Sequence, residues 1–273
     1  MGEPALTPPL FAIFSDLIEK ACGVHYDAGD RPILESKLST HATELGFDSL
    51  LDYYYRLRYD DPGAVELHKL VEAILVHETY FFREYRQLVQ LCDHYLTDLV
   101  RTRGRARVWS AACSTGEEPF TLAMLLEERG LLDHVEIVAS DVSSDTIVRA
   151  KAGLHGKRAL RDGHPPEVAS RYLDAGAAGY AVVPRIRDAV KFATINLLDD
   201  ASVRKLGRFD AILCRNVLIY FHDAQILKVL ERLARSLEPG GLIAVGVSES
   251  LLRFGTSLVC EERGNAFFYR SGA

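Results

Sequence analysis

The strongest constraint on this chain is a change of periodicity at Arg107. Upstream of it the apolar residues recur at helical spacing. Downstream, short apolar runs of strand length alternate with helical stretches. Strands are predicted at Arg107–Ala111, Val135–Ser140, Val190–Ile195, Asp210–Cys214 and Leu242–Val247, and helices over 117–129, 143–152 and 223–237. Alternation of this kind implies a parallel α/β sheet with right-handed crossovers. Residues 155–188 break the rhythm with Gly, Pro and the alternating run 180–187, which predicts a small antiparallel β insertion. Ser257–Glu262 and Ala266–Arg270 flank Gly264-Asn265, the turn chemistry of a hairpin.

The first part of the chain is a small helical bundle. Residues 10–22 put Leu10, Phe11, Phe14, Leu17, Ile18 and Ala21 on one face, and Gly23 follows as a stop. Pro32 suits the first turn of a second helix from Arg31 to about Leu45. Further helices are expected from Ser49 to Tyr59, from Ala64 to about Val76 and from Tyr85 to about Val100. The helical domain with its linker is assigned to 1–90 and the sheet domain to 91–273, with 155–188 inserted in it. Between two of the helices, Val76-H-E-T-Y-F-F-R-Glu84 concentrates three aromatic residues beside an arginine. Its plainest role is an aromatic plug between domains.

Composition excludes several classes. No apolar run approaches the roughly 18 residues of a membrane span, and the N-terminus lacks the basic and apolar regions of a signal peptide. Cytoplasmic residence is the expectation. The five cysteines are scattered and never in C-x-x-C spacing, which predicts reduced thiols, with neither a disulfide framework nor a metal site. Net charge is −6, the acidic excess lies in residues 1–90, and no basic surface suited to nucleic acid is evident.

Chemistry is expected where strands end. Arg107-V-W-S-A-A-C-S-T-G-E-E-Pro119 reads as a strand, a turn of small residues and a helix start, a geometry that lets a nucleotide approach the backbone. It has a single glycine and lacks the dinucleotide fingerprint. Glu117 and Glu118 at the helix start would repel a pyrophosphate but suit a cationic ligand, so a sulfonium cofactor such as S-adenosylmethionine fits and NAD does not. Asp141, ending the second strand, could cap the following helix, but taken with the first turn it is better read as accepting both ribose hydroxyls. Asn196 and Leu197 follow the third strand, where an amide or backbone group can address an adenine edge. Asn216, with Tyr220 four residues on, follows the fourth. Ser248-Glu249-Ser250 after the fifth is either another site loop or a cap. The C-terminal hairpin favours a methyltransferase-type sheet.

Six ordered segments then make a specific resemblance: H-E-T-Y-F-F-R-E, R-V-W-S-A-A-C-S-T-G-E-E-P, A-S-D, F-A-T-I-N-L-L, F-D-A-I-L-C-R-N-V-L-I-Y-F and L-E-P-G-G-L-I-A-V-G-V-S-E-S. Together they resemble the chemotaxis-receptor glutamate O-methyltransferases of the CheR type, over nearly the whole chain. The resemblance implies a class I S-adenosylmethionine methyltransferase sheet domain behind a helical domain. It implies methyl transfer to glutamate side chains of chemoreceptor cytoplasmic domains, giving methyl esters and S-adenosylhomocysteine. By similarity His77, Thr79, Arg83, Glu117, Glu118, Asp141, Asn196, Leu197, Asn216 and Val217 contact the cofactor, and Arg83 and Tyr220 stand nearest the reacting groups. The family usually has Asn where this chain has His77. Basic residues of the second helix, here Arg31 and Lys37, are implied in receptor docking. The short loop Leu173-D-A-G-A-A-G-Tyr180 favours recognition independent of a tethering peptide. A monomer is expected, acting without nucleic acid or membrane insertion. A methyltransferase for another acceptor and a cofactor-binding sensor are the competing readings.

Overall fold

A computed structural model describes residues 5–163 and 165–271. The chain divides into two compact units: the residues through Val76 together with Tyr220–Gln225, and His77–Ile219 with Ile226 onward. This division falls earlier in the chain than the boundary at residue 90 expected from the sequence.

The first unit holds α1 (Pro8–Cys22), α2 (Arg31–Glu44), α3 (Leu50–Tyr59) and α4 (Val65–Ile74). Prolines open α1 and α2, where their missing N–H costs no helical bond. Gly23 closes α1 in the left-handed conformation (φ 87°), and its N–H donates to Glu19 O. Ser49 caps α3 through its hydroxyl, which accepts from Asp52 N at 3.3 Å. Phe14, Ile18, Leu34, Leu38 and Tyr53 are fully buried, with the Phe14 and Tyr53 rings stacked at 6.2 Å. Lys37 donates to Ile74 O at the end of α4 at 2.6 Å, and burial pulls its pKa down. That amine is committed to holding two helices together. Residues 220–225 pack in this unit: Val24 bridges Phe221, and His25 N donates to Tyr220 O at 2.8 Å.

The second unit opens with α5 (Tyr85–Gln90), a π-helical segment (Leu91–Leu96) and α6 (Thr97–Arg103) in one run. Then come β1 (Ala106–Ala111), α7 (Glu117–Glu127), β2 (Val135–Asp141), α8 (Ser144–Ala152) and β3 (Leu154–Gly156). α9 (Pro166–Tyr172), β4 (Leu173–Ala175), β5 (Gly179–Val182), α10 (Pro184–Arg187) and β6 (Val190–Thr194) follow. The chain ends with α11 (Asp200–Lys205), β7 (Phe209–Leu213), α12 (Asp223–Arg235), β8 (Leu237–Ala244), β9 (Leu258–Arg263) and β10 (Ala266–Ser271).

The large sheet has the order β6-β2-β1-β7-β8-β10-β9, parallel from β6 to β8 and antiparallel at β10 and β9. β3-β5-β4 forms a separate antiparallel sheet. β1 and β2 are interior strands of the large sheet and are buried almost throughout, which explains their continuous apolar runs. Trp109 is wholly buried there, and its indole N–H donates to Ser140 Oγ at 2.9 Å. The expected class I methyltransferase sheet, antiparallel insertion and terminal hairpin are all present.

Three local expectations need correction. The fifth parallel strand spans Leu237–Ala244 rather than Leu242–Val247. Leu237 pairs with Phe209 and Leu242 with Ala211, so Glu238-Pro-Gly-Gly241 bulges out of the ladder, with Gly240 at φ 79°. The alternating run 180–187 is a strand only to Val182, because Pro184 starts a helical turn. The short helix α11 was not anticipated. Asp199 caps it by accepting from Ala201 N and Ser202 N.

Candidate functional site

The carboxyl ends of β1, β2, β6 and β7 carry the predicted site residues of the second unit. β1 leads into a turn that is tightly wound: Ala112 (φ 60°), Ser114 (φ 49°) and Gly116 (φ 95°) all take left-handed conformations. Only glycine fits the last position, since an added Cβ would meet Ala150 Cβ and the Phe120 ring at 3.1 Å. Phe82 (φ 64°), Glu84 (φ 47°) and Asn216 (φ 58°) are strained in the same way. Outside these site loops only Ala64 and Asn265 share this feature among the described non-glycine residues. Each such residue costs about 1–3 kcal/mol and persists where the surroundings over-determine it.

Asp141 ends β2 and is almost fully buried. Ser114 N donates to its Oδ2 at 2.8 Å and Ser143 N to its Oδ1 at 3.0 Å, so the carboxylate fixes both the β1–α7 turn and the start of α8. Helix α8 is capped by the Ser143 hydroxyl, which accepts from Thr146 N, so the cap is not Asp141. Thr146 in the first turn of α8 lies 3.3 Å from His77 Nδ1, which brings His77 to the same edge. Ile195 N donates to Asp141 O at 2.8 Å, so Asn196 follows directly beside it. Asn196 Oδ1 accepts from Leu198 N at 2.9 Å, and Leu197 is buried.

The two glutamates that open α7 do different things. Glu117 turns inward, where its Oε1 meets His155 Nδ1 at 2.9 Å and its Oε2 accepts from Thr115 Oγ1 at 2.7 Å. Glu118 accepts from Ser110 Oγ at 2.6 Å and from Arg215 Nη1 at 3.0 Å. Burial holds its carboxyl above the usual range, against the pull of Arg215 and Ser110.

Arg215, a residue that sequence reasoning passed over, is the hub of this edge. Its side chain is 1% exposed, and Nη2 donates to Arg83 O at 2.7 Å and approaches Glu84 Oε2 at 3.2 Å. Glu84 also accepts from Asn216 Nδ2 and Val247 N, both at 3.2 Å. Glu249 accepts from Asn216 N at 2.6 Å, Gly246 N at 2.7 Å and Ile219 N at 3.2 Å, locking the loop after β7. Ser248-Glu249-Ser250 is thus a supporting loop. The clue to Arg215 was its place between Cys214 and Asn216 at a strand end.

The segment His77–Glu84 packs against the turn. Phe82 N donates to Thr121 Oγ1 at 3.0 Å and Phe81 N to Ala159 O at 2.7 Å. Thr79 is half-buried and so is Val217. Arg83 folds onto its own segment, with Nη1 donating to Glu78 O at 2.8 Å and its guanidinium 5.6 Å from the Tyr80 ring. Tyr220 belongs to the other unit. Cys113 and Cys214 are buried free thiols with pKa values pushed well above the ordinary range by burial, so neither is a nucleophile.

Glu84 and Glu118 face one buried guanidinium, Asp141 ends β2 at the same sheet edge, and the Ser114 hydroxyl is buried without a partner. An excess of carboxylate with an unsatisfied hydroxyl fits a positively charged nucleoside such as S-adenosylmethionine, and does not fit a pyrophosphate.

Residues 77–263 match the family model described as CheR methyltransferase, SAM binding domain, and residues 9–75 match CheR methyltransferase, all-alpha domain. The chain is 37% identical over 250 residues to chemotaxis protein methyltransferase 1 of Pseudomonas aeruginosa, covering 88% of this chain and 90% of that one. It is 35% identical to chemotaxis protein methyltransferase 2 of Vibrio cholerae, covering 93% and 89%. It is also 33% identical to a probable biofilm formation methyltransferase, WspC, of Pseudomonas putida, covering 88% of this chain and 56% of that one.

Proposed function

The chain belongs to the CheR methyltransferase family, and from that premise we propose that this S-adenosylmethionine-dependent enzyme methylates glutamate side chains of chemoreceptor cytoplasmic domains. The observation that carries the cofactor half is the carboxylate excess around Arg215 at the strand ends. The acceptor half rests on the relatives named chemotaxis protein methyltransferases. A cytoplasmic substrate surface implies a cytoplasmic enzyme.

Asp141, at the carboxyl end of β2, would accept the ribose hydroxyls. Asn196 and Leu197 would address the adenine. Glu118, His77, Thr79, Asn216 and Val217 would line the rest of the cofactor site. Glu117, held by His155, would support the turn. When bound, S-adenosylmethionine supplies a methyl group on a sulfonium, which a glutamate carboxylate oxygen takes with loss of S-adenosylhomocysteine. No general base is required of the protein, because a glutamate side chain with a reference pKa of about 4.3 is already ionised at neutral pH. The protein's task is alignment of the carboxylate and exclusion of water.

We assign that alignment to Arg83 and Tyr220. Among the described residues the Arg83 guanidinium bonds only to the Glu78 carbonyl of its own segment and lies against Tyr80, so its remaining donors can pair a substrate carboxylate by a forked contact. Lys37 donates to Ile74 O, so a docking contact through it would compete with that bond. The β4–β5 turn is closed by Gly176 N donating to Gly179 O at 2.7 Å, leaving only Ala177 and Ala178 at its tip. That short tip supports recognition without a tethering peptide. Arg83→Ala should lower turnover strongly while retaining cofactor binding. Calorimetric titration with S-adenosylhomocysteine and a radiolabel transfer assay check this, and unchanged turnover would remove Arg83 from the reaction.

A further inference from the structure

The pair His155–Glu117 is buried on both sides, with side chains 2% and 4% exposed. His155 lies on β3 of the small antiparallel sheet, and Glu117 opens the helix after the cofactor turn. The Nδ1–Oε1 contact at 2.9 Å places the proton on Nδ1, because a carboxylate can only accept. The ring is wedged edge-on against Phe81 (4.8 Å, 71°) and Phe120 (5.8 Å, 87°). Its strand cannot retreat. β5 runs alongside with Gly179 opposite Gly156, and a Cβ at Gly179 would collide with His155 O.

Glu117 passes this restraint on in two directions. Its second carboxylate oxygen accepts from Thr115 Oγ1 at 2.7 Å, which pins the turn that presents Ser114 N to Asp141. Its carbonyl accepts from Thr121 Oγ1 at 2.7 Å, and that hydroxyl accepts from Phe82 N at 3.0 Å, at the base of the Arg83 segment. Glu117 therefore joins the cofactor turn and the small sheet through its carboxylate, clamped from two sides, and the aromatic segment through its carbonyl. Such an arrangement is rigid only while both clamps hold, since a buried carboxylate that loses one partner must repack or take up a proton.

We propose that His155 is a positioning residue for S-adenosylmethionine, holding Glu117 so that the turn Ala112–Gly116 stays in its cofactor-binding conformation. The proposal rests on the cofactor site described above. It also explains why Glu117, of the two glutamates that open α7, is turned away from the Arg215 cluster.

The test uses the full chain. S-adenosylhomocysteine affinity by calorimetry, and KM for S-adenosylmethionine against kcat, are measured for His155→Phe, His155→Asn and Glu117→Gln, and for His155→Phe combined with Glu117→Gln. His155→Phe should weaken binding about tenfold, the size of coupling expected between contacting groups, raising KM with kcat at saturation nearly unchanged. His155→Asn, whose amide can donate to Glu117 from a similar position, should recover most of the loss. In the Glu117→Gln background His155→Phe should add little. Equal losses in the Asn and Phe variants, or additive losses in the double variant, would overturn the proposal in favour of plain core packing. Should His155→Phe fail to fold, Thr115→Val removes the other clamp and should produce the same loss, and undiminished affinity there would overturn it. Wild-type protein that does not bind S-adenosylhomocysteine would instead refute the cofactor site itself.

Discussion

Glu118 shows how single residues set the chemistry here. Its carboxyl is pushed up by burial, with Arg215 and Ser110 only partly offsetting that cost, so its negative charge is held at a price a bound cation would relieve. S-adenosylmethionine carries the sulfonium charge and S-adenosylhomocysteine does not. Glu118→Gln should therefore weaken the first ligand more than the second, a difference that paired calorimetric titrations read directly. The same reasoning gives a pH dependence. A raised carboxyl pKa means protonation begins at higher pH than for an ordinary glutamate. The preference for the charged ligand should therefore shrink as pH falls through the mildly acidic range. A preference constant with pH would show that Glu118 does not sense the sulfonium. Arg215 makes a stronger case, because its guanidinium separates Glu84 from Glu118 in a water-poor setting. Arg215→Met leaves those carboxylates uncompensated and should cost about 3–5 kcal/mol of stability, visible in denaturant titration.

At the scale of elements, the β1–α7 turn concentrates the consequences. Gly116→Ala forces a Cβ onto Ala150 and Phe120 at a left-handed φ, and should destabilise the protein by about 1–3 kcal/mol while weakening cofactor binding, as melting and calorimetry would report. The order of strands and helices was legible in the sequence because burial on both faces writes continuous apolar runs into β1, β2 and β7. The local misreadings have separate origins: β8 continues across a bulge because Leu237 pairs with Phe209, Pro184 ends β5 by starting a helical turn, and Asp199 supplies a cap. Among the residues proposed for the site, Asp141 and Asn216 announced themselves by standing at strand ends. Glu84, Arg215 and His155 did not, because a buried ion pair is defined by its partner, and the partners are far apart in the chain.

For the molecule as a whole, nearly all the residues assigned to the cofactor lie in the unit that begins at His77, while Tyr220 and the helical bundle form the other. Phe14→Ala opens a cavity in that bundle and should cost about 3–5 kcal/mol of stability, yet leave S-adenosylhomocysteine affinity unchanged below the melting range. Weakened affinity would mean that the bundle contributes directly to the cofactor site. The decisive measurement concerns the acceptor. The protein is incubated with tritiated S-adenosylmethionine and a chemoreceptor cytoplasmic domain, and the receptor is then treated with base. Label that enters the receptor and is released as methanol is the predicted result, since only a methyl ester behaves this way. Label that is absent despite cofactor binding, or that resists base, would contradict glutamate methylation.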